Sequence, residues 1–207
     1  GDTRSNASVQ MFNRVDVWVQ TIQKESTAYA KEKKAHDIIC EYVEYEEGTY
    51  DQTAYSAVMQ KKTVCAGYAK LYSMLTNAAG LETVSVTSAT HGWNRTKLGN
   101  QWYNVDLTWD DGTPISYQFF NKSDATMEKY DGSSRESHTQ NHYYDGVAPG
   151  CESDYGASVT VVDAEQIHAD TATVVLDLVN NQSGQIRTSF VPANVTDKRL
   201  GYVSENT

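Results

Sequence analysis

The 207 residues are 39% apolar and 21% charged with only three prolines, the composition of an ordinary globular protein long enough to bury a real core. Seventeen Lys and Arg stand against 27 Asp and Glu, a net charge of −10 with no basic cluster to interrupt it, which excludes a nucleic-acid or anionic-membrane surface. No apolar run approaches the roughly 20 residues that span a bilayer, so no membrane insertion is expected.

Residues 1–8 are polar and lack the basic-then-apolar order of a signal peptide; an exported protein whose signal has been removed reads the same. The segment VQMFNRVDVWVQTIQ fits a helix through Met11, Phe12, Val15, Val19 and Ile22, although Val15, Val17 and Val19 also alternate as in a strand; helix is preferred. In AKEKKAHDIICEYVEYEE, Ala35, Ile38, Ile39, Tyr42 and Val43 follow a helical stripe, and Cys40 falls off it. Another helix is predicted over 65–79, closed by Gly80. Its polar residues Lys70, Ser73, Thr76 and Asn77 form one narrow stripe, so it should be largely buried. Short β-rich runs follow: LETVSVTS, HGWNRTKL and QWYNVDLTW, the last two joined by the turn signal Gly99-Asn100. A strand is expected over 117–120, then a long loop from 123 to about 151. The runs 159–162, 173–179 and 186–191 suggest a β-rich extension, so the expected division is 1–150 and 151–207.

The hairpin register decides whether a histidine and a carboxylate can meet. With a two-residue turn Leu98 faces Gln101, which puts Trp93 opposite Asp106 and His91 opposite Thr108. His91 and Asp106 then lie on one face as diagonal neighbours, roughly 7–8 Å apart at Cα. Upstream, TVCAGYA places Cys65 at the start of a buried helix, where unpaired N–H groups and the helix dipole favour a thiolate. A thiol that ionises, an imidazole that moves its proton and a carboxylate that fixes the ring are the parts of a thiol nucleophile site. His138 and His142, four apart, are the one spacing that could share a metal, but their surroundings, DGSSRESHTQNHYYDG, read as loop, and neither metal nor cofactor is expected.

VCAGYAKLYSMLTNAAGL, HGWN and QWYNVDLTWDD resemble the core of the bacterial transglutaminase-like superfamily, and AHDIICEYVEY resembles the helix preceding its cysteine, a likeness over about 30–122. The resemblance implies a papain-like α+β fold: N-terminal helices on an antiparallel sheet, with the β-rich C-terminal extension outside it. It implies Cys65 as nucleophile, His91 as general base and acid, and Asp106 as the orienting residue. Gly67 would let helix and sheet approach, and Trp93 and Trp102 would pack around the site. Ala66 and Gly92 depart from the common Gln, Glu or Ser and Ala without touching the triad. For the oxyanion, the Cys65 N–H is one donor, with Tyr55 and Gln60 as weak candidates for the second.

The implied chemistry is acyl transfer through a Cys65 thioester on a peptide or protein substrate, with water as acceptor (peptidase or amidase) preferred over an amine (crosslinking). A non-catalytic binding module at the cell envelope is the rival from another class. The Val/Thr-rich tail and Asn/Thr/Ser-rich composition suit a secreted or surface protein acting on cell-wall peptide. The oligomeric state is left open. Five Asn-x-Ser/Thr matches, at Asn6, Asn94, Asn121, Asn181 and Asn194, are discounted as glycosylation sites because chance supplies about two and Asn94 lies in the site hairpin. Three cysteines leave one unpaired. Outside the cytoplasm Cys40 and Cys151 are the pair open to oxidation, closing a loop worth about 4–5 kcal/mol.

Overall fold

A computed structural model describes residues 3–131, 137–141 and 150–156, and the strands at 166–169 and 188–191. The chain divides into two compact units, Gly1–Tyr155 and Gly156–Thr207.

The first unit opens with α1 (Thr3–Gln23) and α2 (Ala28–Tyr42). Thr27, extended, accepts a 3.1 Å bond from the Ala30 N–H and starts α2; the Val43 N–H reaches Ile39 O and ends it. Strand β1 (Glu44–Tyr45) pairs in parallel with β2 (Lys62–Thr63) across a π-helical turn, Ser56–Gln60. Then come α3 (Cys65–Ala78) and a four-stranded antiparallel sheet in the order β3 (Glu82–Thr87), β4 (Gly92–Leu98), β5 (Gln101–Val105), β6 (Phe120–Lys122). The turn α4 (Leu107–Asp110) follows β5, and α5 (Asp124–Tyr130) follows β6. Mixed helix and antiparallel sheet is therefore the architecture, as the sequence implied.

Gly80 at φ +92° ends α3. The β4–β5 turn puts Gly99 at φ +63°, the left-handed region that glycine enters without cost. Leu98 faces Gln101 and Asn94 faces Val105, the register expected from the sequence. Val15, Ile22, Ala35, Ile39, Leu71, Tyr72, Leu75 and Val105 form one buried core joining helices and sheet. Val86, Trp93, Trp102, Phe119, Met127 and Cys151 form a second. Buried donors along β4 are paired: Asn94 donates to Ala69 O and Ser73 Oγ at 3.0 and 2.8 Å, and Arg95 to Asn104 Oδ1 and Asp124 Oδ1 at 3.1 and 2.7 Å, while Asn94 Oδ1 is buried without a partner. Asn94 and Asn121 are buried, so neither is open to a glycan in the folded protein.

Several expectations need correction. The run DLTW is not strand: Asp106 caps it by accepting from the Thr108 N–H at 2.9 Å and turns it into α4. The expected loop after 123 begins with α5, capped by Ser123 through the Thr126 N–H. The strand expected at 117–120 starts at Phe120. Cys40 is buried, because α2 is covered by α4 as well as by α3: its Sγ lies 3.9 Å from both His36 Nε2 and Leu107 O. Cys151 lies in the second cluster, Cys40 in the first, and all three thiols are free, so the Cys40–Cys151 bridge is not formed.

Gly67 stands where α3 crosses β2, not the four-stranded sheet. A Cβ there would sit 1.7 Å from Thr63 Oγ1 and 2.9 Å from Thr53 O. Thr63 is itself fixed, its hydroxyl bonded to Asp51 O and Ser56 Oγ. Gly67→Ala is expected to cost about 2–3 kcal/mol in denaturant unfolding, from overpacking alone. A second test uses Glu32, wholly buried against Asn121 Nδ2 (2.6 Å) and Tyr72 OH (3.3 Å). Burial pushes its carboxyl up to about 7 despite those bonds. A folded pKa above the unfolded value withdraws stability as pH rises from the ordinary carboxyl range through about 7. Glu32→Gln, whose amide keeps both partners, is expected to raise stability by about 2–3 kcal/mol at pH 8 and change it little at pH 4.

In the second unit β7 (Gln166–Ala169) and β8 (Thr188–Val191) pair antiparallel, Gln166 opposite Val191. β8 falls within the expected run 186–191; the runs 159–162 and 173–179 lie outside the described residues.

Candidate active site

Cys65 is the first residue of α3, behind an extended Val64 that offers no side-chain cap, so the first-turn N–H groups are left for other acceptors. The sulfur is half-buried. A hydrogen bond with His91 pulls its thiol below the ordinary range against the opposing effect of burial, and the N–H groups of Gly92 and Ala66 add to the pull. His91 precedes β4 and is held by its own N–H, which donates to Ser88 Oγ at 3.1 Å. Its Nε2 donates to Asp106 Oδ2 at 2.6 Å, leaving Nδ1 for the thiol. Burial pushes this imidazole down, but the bonds to Asp106 and Cys65 outweigh it and hold the ring up at about 10. The two shifts have the sense of a thiolate–imidazolium pair.

Asp106 is fully used. Oδ1 accepts from the Thr108 N–H, and Oδ2 accepts from His91 and, at 3.0 Å, from His138 Nε2. Burial pushes the carboxyl up, yet the bonds from His138 and His91 hold it down at about 2. His138 is the residue that sequence reasoning missed: read only as a weak metal ligand in a loop, it lies buried against Trp93, Trp109 and Phe119. His142 lies outside the described residues. His91, Asp106 and His138 offer ligand atoms within 4.8 Å of one another. The contacts of 2.6 and 3.0 Å are hydrogen-bond lengths, shorter than the about 3.3 Å between ligands of a tetrahedral zinc.

Of the other expected site residues, Trp93 stacks on His91 at 6.1 Å with rings 10° from parallel, its N–H fixed on Asn104 Oδ1. Trp102 does not reach the site. It faces Lys97 near the far end of the hairpin, and the aromatic beside His91 is Trp109, at 5.7 Å. Tyr55 packs against the helical core and Gln60 is exposed, and among the described residues neither is hydrogen-bonded to Cys65 or His91. The donors already aimed at the sulfur are backbone N–H groups of Ala66 and Gly92.

A second Cys–His–Asp group stands in contrast to the first. His36 Nε2 lies 3.2 Å from Asp110 Oδ2 and 3.9 Å from Cys40 Sγ, with all three side chains buried. Burial pushes the Cys40 thiol up, and it pushes that of Cys151 up to about 12. This group clamps α4 to α2; it presents no thiolate.

A half-buried thiol, an imidazole and a buried carboxylate in hydrogen-bonded series, on a helix start and an adjoining hairpin, define the class of papain-like cysteine-dependent sites. Residues 16–107 match the model of the transglutaminase-like superfamily. No curated protein matches the chain. Two solved structures resemble it: a TGase, 15% identical over 48% of this chain and 32% of its own, TM-score 0.43, and a candidate cysteine protease from Cytophaga hutchinsonii, 20% identical over 48% and 38%, TM-score 0.41. The chain thus spans about a third of the length of either.

Proposed function

We propose that the protein transfers acyl groups from peptide or protein amides through a thioester on Cys65, with water as the preferred acceptor. The observation that carries this reading is the opposed pair of shifts: one thiol lowered while its imidazole partner is raised to about 10, joined to a buried carboxylate. The Cys65 thiolate attacks the amide carbonyl. His91, protonated, gives its proton to the leaving amine and then takes one from the water that opens the thioester, returning the thiol to its starting state. Asp106 holds the ring with Nδ1 toward the sulfur. Surface or wall peptides of a bacterial envelope are the substrate class we carry forward from the composition.

Native-state alkylation tests the first step. Cys65 is expected to react at least tenfold faster than Cys40 or Cys151 at pH 7, with its midpoint below the about 8.5 of a free thiol. Mass spectrometry after mixing with peptide amides should find the acyl adduct on Cys65 and a free acid as product. An amide product with added primary amine would move the reading to crosslinking, and equal rates at all three thiols would move it to a binding module.

A further inference from the structure

The carboxylate at the end of the series is not its end. His138 lies between two buried acids: Nε2 faces Asp106 Oδ2 at 3.0 Å, and Nδ1 faces Asp131 Oδ1 at 2.5 Å. Asp131 Oδ2 accepts the His138 backbone N–H at 2.9 Å, which fixes the residue from a second direction. Two hydrogen bonds joining one imidazole to two carboxylates require two protons among the three groups, whichever acid–base form each takes, so the trio carries a net charge of −1. The ring cannot turn away. It is packed by Trp93, Trp109 and Phe119, with centroids 5.2, 4.6 and 5.9 Å from its own.

We infer that His138 is a positioning residue for the reaction proposed above: its Nε2–H holds Asp106 Oδ2 on His91 and keeps that carboxylate ionised, so that the working series runs Asp131, His138, Asp106, His91, Cys65. The inference rests on the Cys65 reading and deepens it. Asp106 needs such a partner because it is 1% exposed and water cannot satisfy it. The Thr108 N–H occupies Oδ1 and pins the carboxylate to α4, but leaves Oδ2 with His91 alone to define its direction. Without His138, the buried carboxyl relieves its missing donor by taking a proton or turning, and each releases His91. The charged and titratable groups facing Asp106 are His91 before β4 and His138 after α5, with Cys65 and Asp131 behind them; on α4 itself Asp110 faces His36 instead.

The test uses the full chain with iodoacetamide as probe for Cys65, whose rate is read against pH in wild type, His138→Phe, His138→Gln, Asp106→Asn and the double variant His138→Phe/Asp106→Asn. Phe keeps the aromatic packing and removes the donor; Gln keeps an N–H at the Nε2 position. His138→Phe is expected to slow Cys65 about tenfold at pH 7 and move the acid limb of the profile upward. His138→Gln should recover to within about threefold of wild type, and adding His138→Phe to Asp106→Asn should cost less than about threefold more. Should His138→Phe not fold, nitrogen-15 histidine NMR of wild type and Asp106→Asn gives the answer. A proton on His138 Nε2 whose resonance moves in Asp106→Asn supports the role, and an unprotonated Nε2 overturns it. An unmoved profile in His138→Phe, or an equal loss in both backgrounds, overturns the role of His138 while the Cys65 reading stands. An ordinary thiol profile in wild type overturns both.

Discussion

Replacing Cys65 by alanine is expected to remove turnover to background, a loss of about 10⁶-fold, with the melting temperature nearly unchanged. The size of the loss follows from the covalent mechanism: no other described thiol can stand in. Cys40 and Cys151 are buried and raised, and they lie in separate cores from which a substrate carbonyl is shut out. The small effect on stability follows from the half-exposed position of the side chain, which fills no core. Progress curves and thermal melts on purified wild type and variant would check both. Retained turnover of a peptide amide or of an amine-incorporation substrate by Cys65→Ala would refute the thioester mechanism.

Asp106→Asn is expected to lower turnover by about 10⁴-fold while leaving α4 in place. Asp106 accepts three hydrogen bonds, and asparagine has one oxygen to offer. If that oxygen stays on the Thr108 N–H, the cap survives, but the amide N–H₂ then faces two imidazole Nε2 atoms. His91 must present Nε2 as acceptor and carry its proton on Nδ1, where the thiol needs a base. The ring also loses the carboxylate that holds it at about 10, so the alkaline limb of Cys65 reactivity should move down in pH. Stability shows the same sign: the raised His91 contributes most below its unfolded value near 6.5, and that contribution fades as pH climbs through about 10. In Asp106→Asn this decline should flatten, which denaturant curves between pH 6 and 10 would reveal.

Local rules carried much of the first unit. The left-handed turn needs glycine, and Gly99-Asn100 supplied it, so the register that joins His91 to Asp106 could be counted before any coordinates. The helix from Cys65 was legible because apolar residues surround a narrow polar stripe closed by Gly80. Yet Ser73 and Thr76 of that stripe turn inward, to Ser85 Oγ and Tyr72 O. What failed was set by tertiary contact. Leu107, Thr108 and Trp109 read as strand by composition, but the Asp106 cap and the bond from the Asp106 N–H to Phe119 O end the ladder there. Cys40 looked exposed because one helical stripe was credited with one neighbour. His138 sits in irregular chain with no periodicity to mark it; the one signal for it was the closeness of Asp131, Glu136, His138 and His142 in the sequence. Trp102 was assigned by likeness, and spacing alone separates it from His91: it pairs with Lys97, at the other end of the hairpin.

The segment 150–155 bears on where the chain can be cut. The Cys151 N–H donates to Asp124 Oδ2 at 2.9 Å, the Asp124 N–H to Cys151 O at 2.9 Å, and the Tyr155 N–H to Asn121 O at 3.0 Å. Asp154 Oδ1 accepts the Ser123 N–H at 2.7 Å, and Tyr155 stacks on Tyr29 at 4.9 Å. A truncation after 150 strips β6 and the start of α5 of these ties and opens the cluster around Trp93, on which His91 leans. A truncation after Tyr155 keeps every one of them.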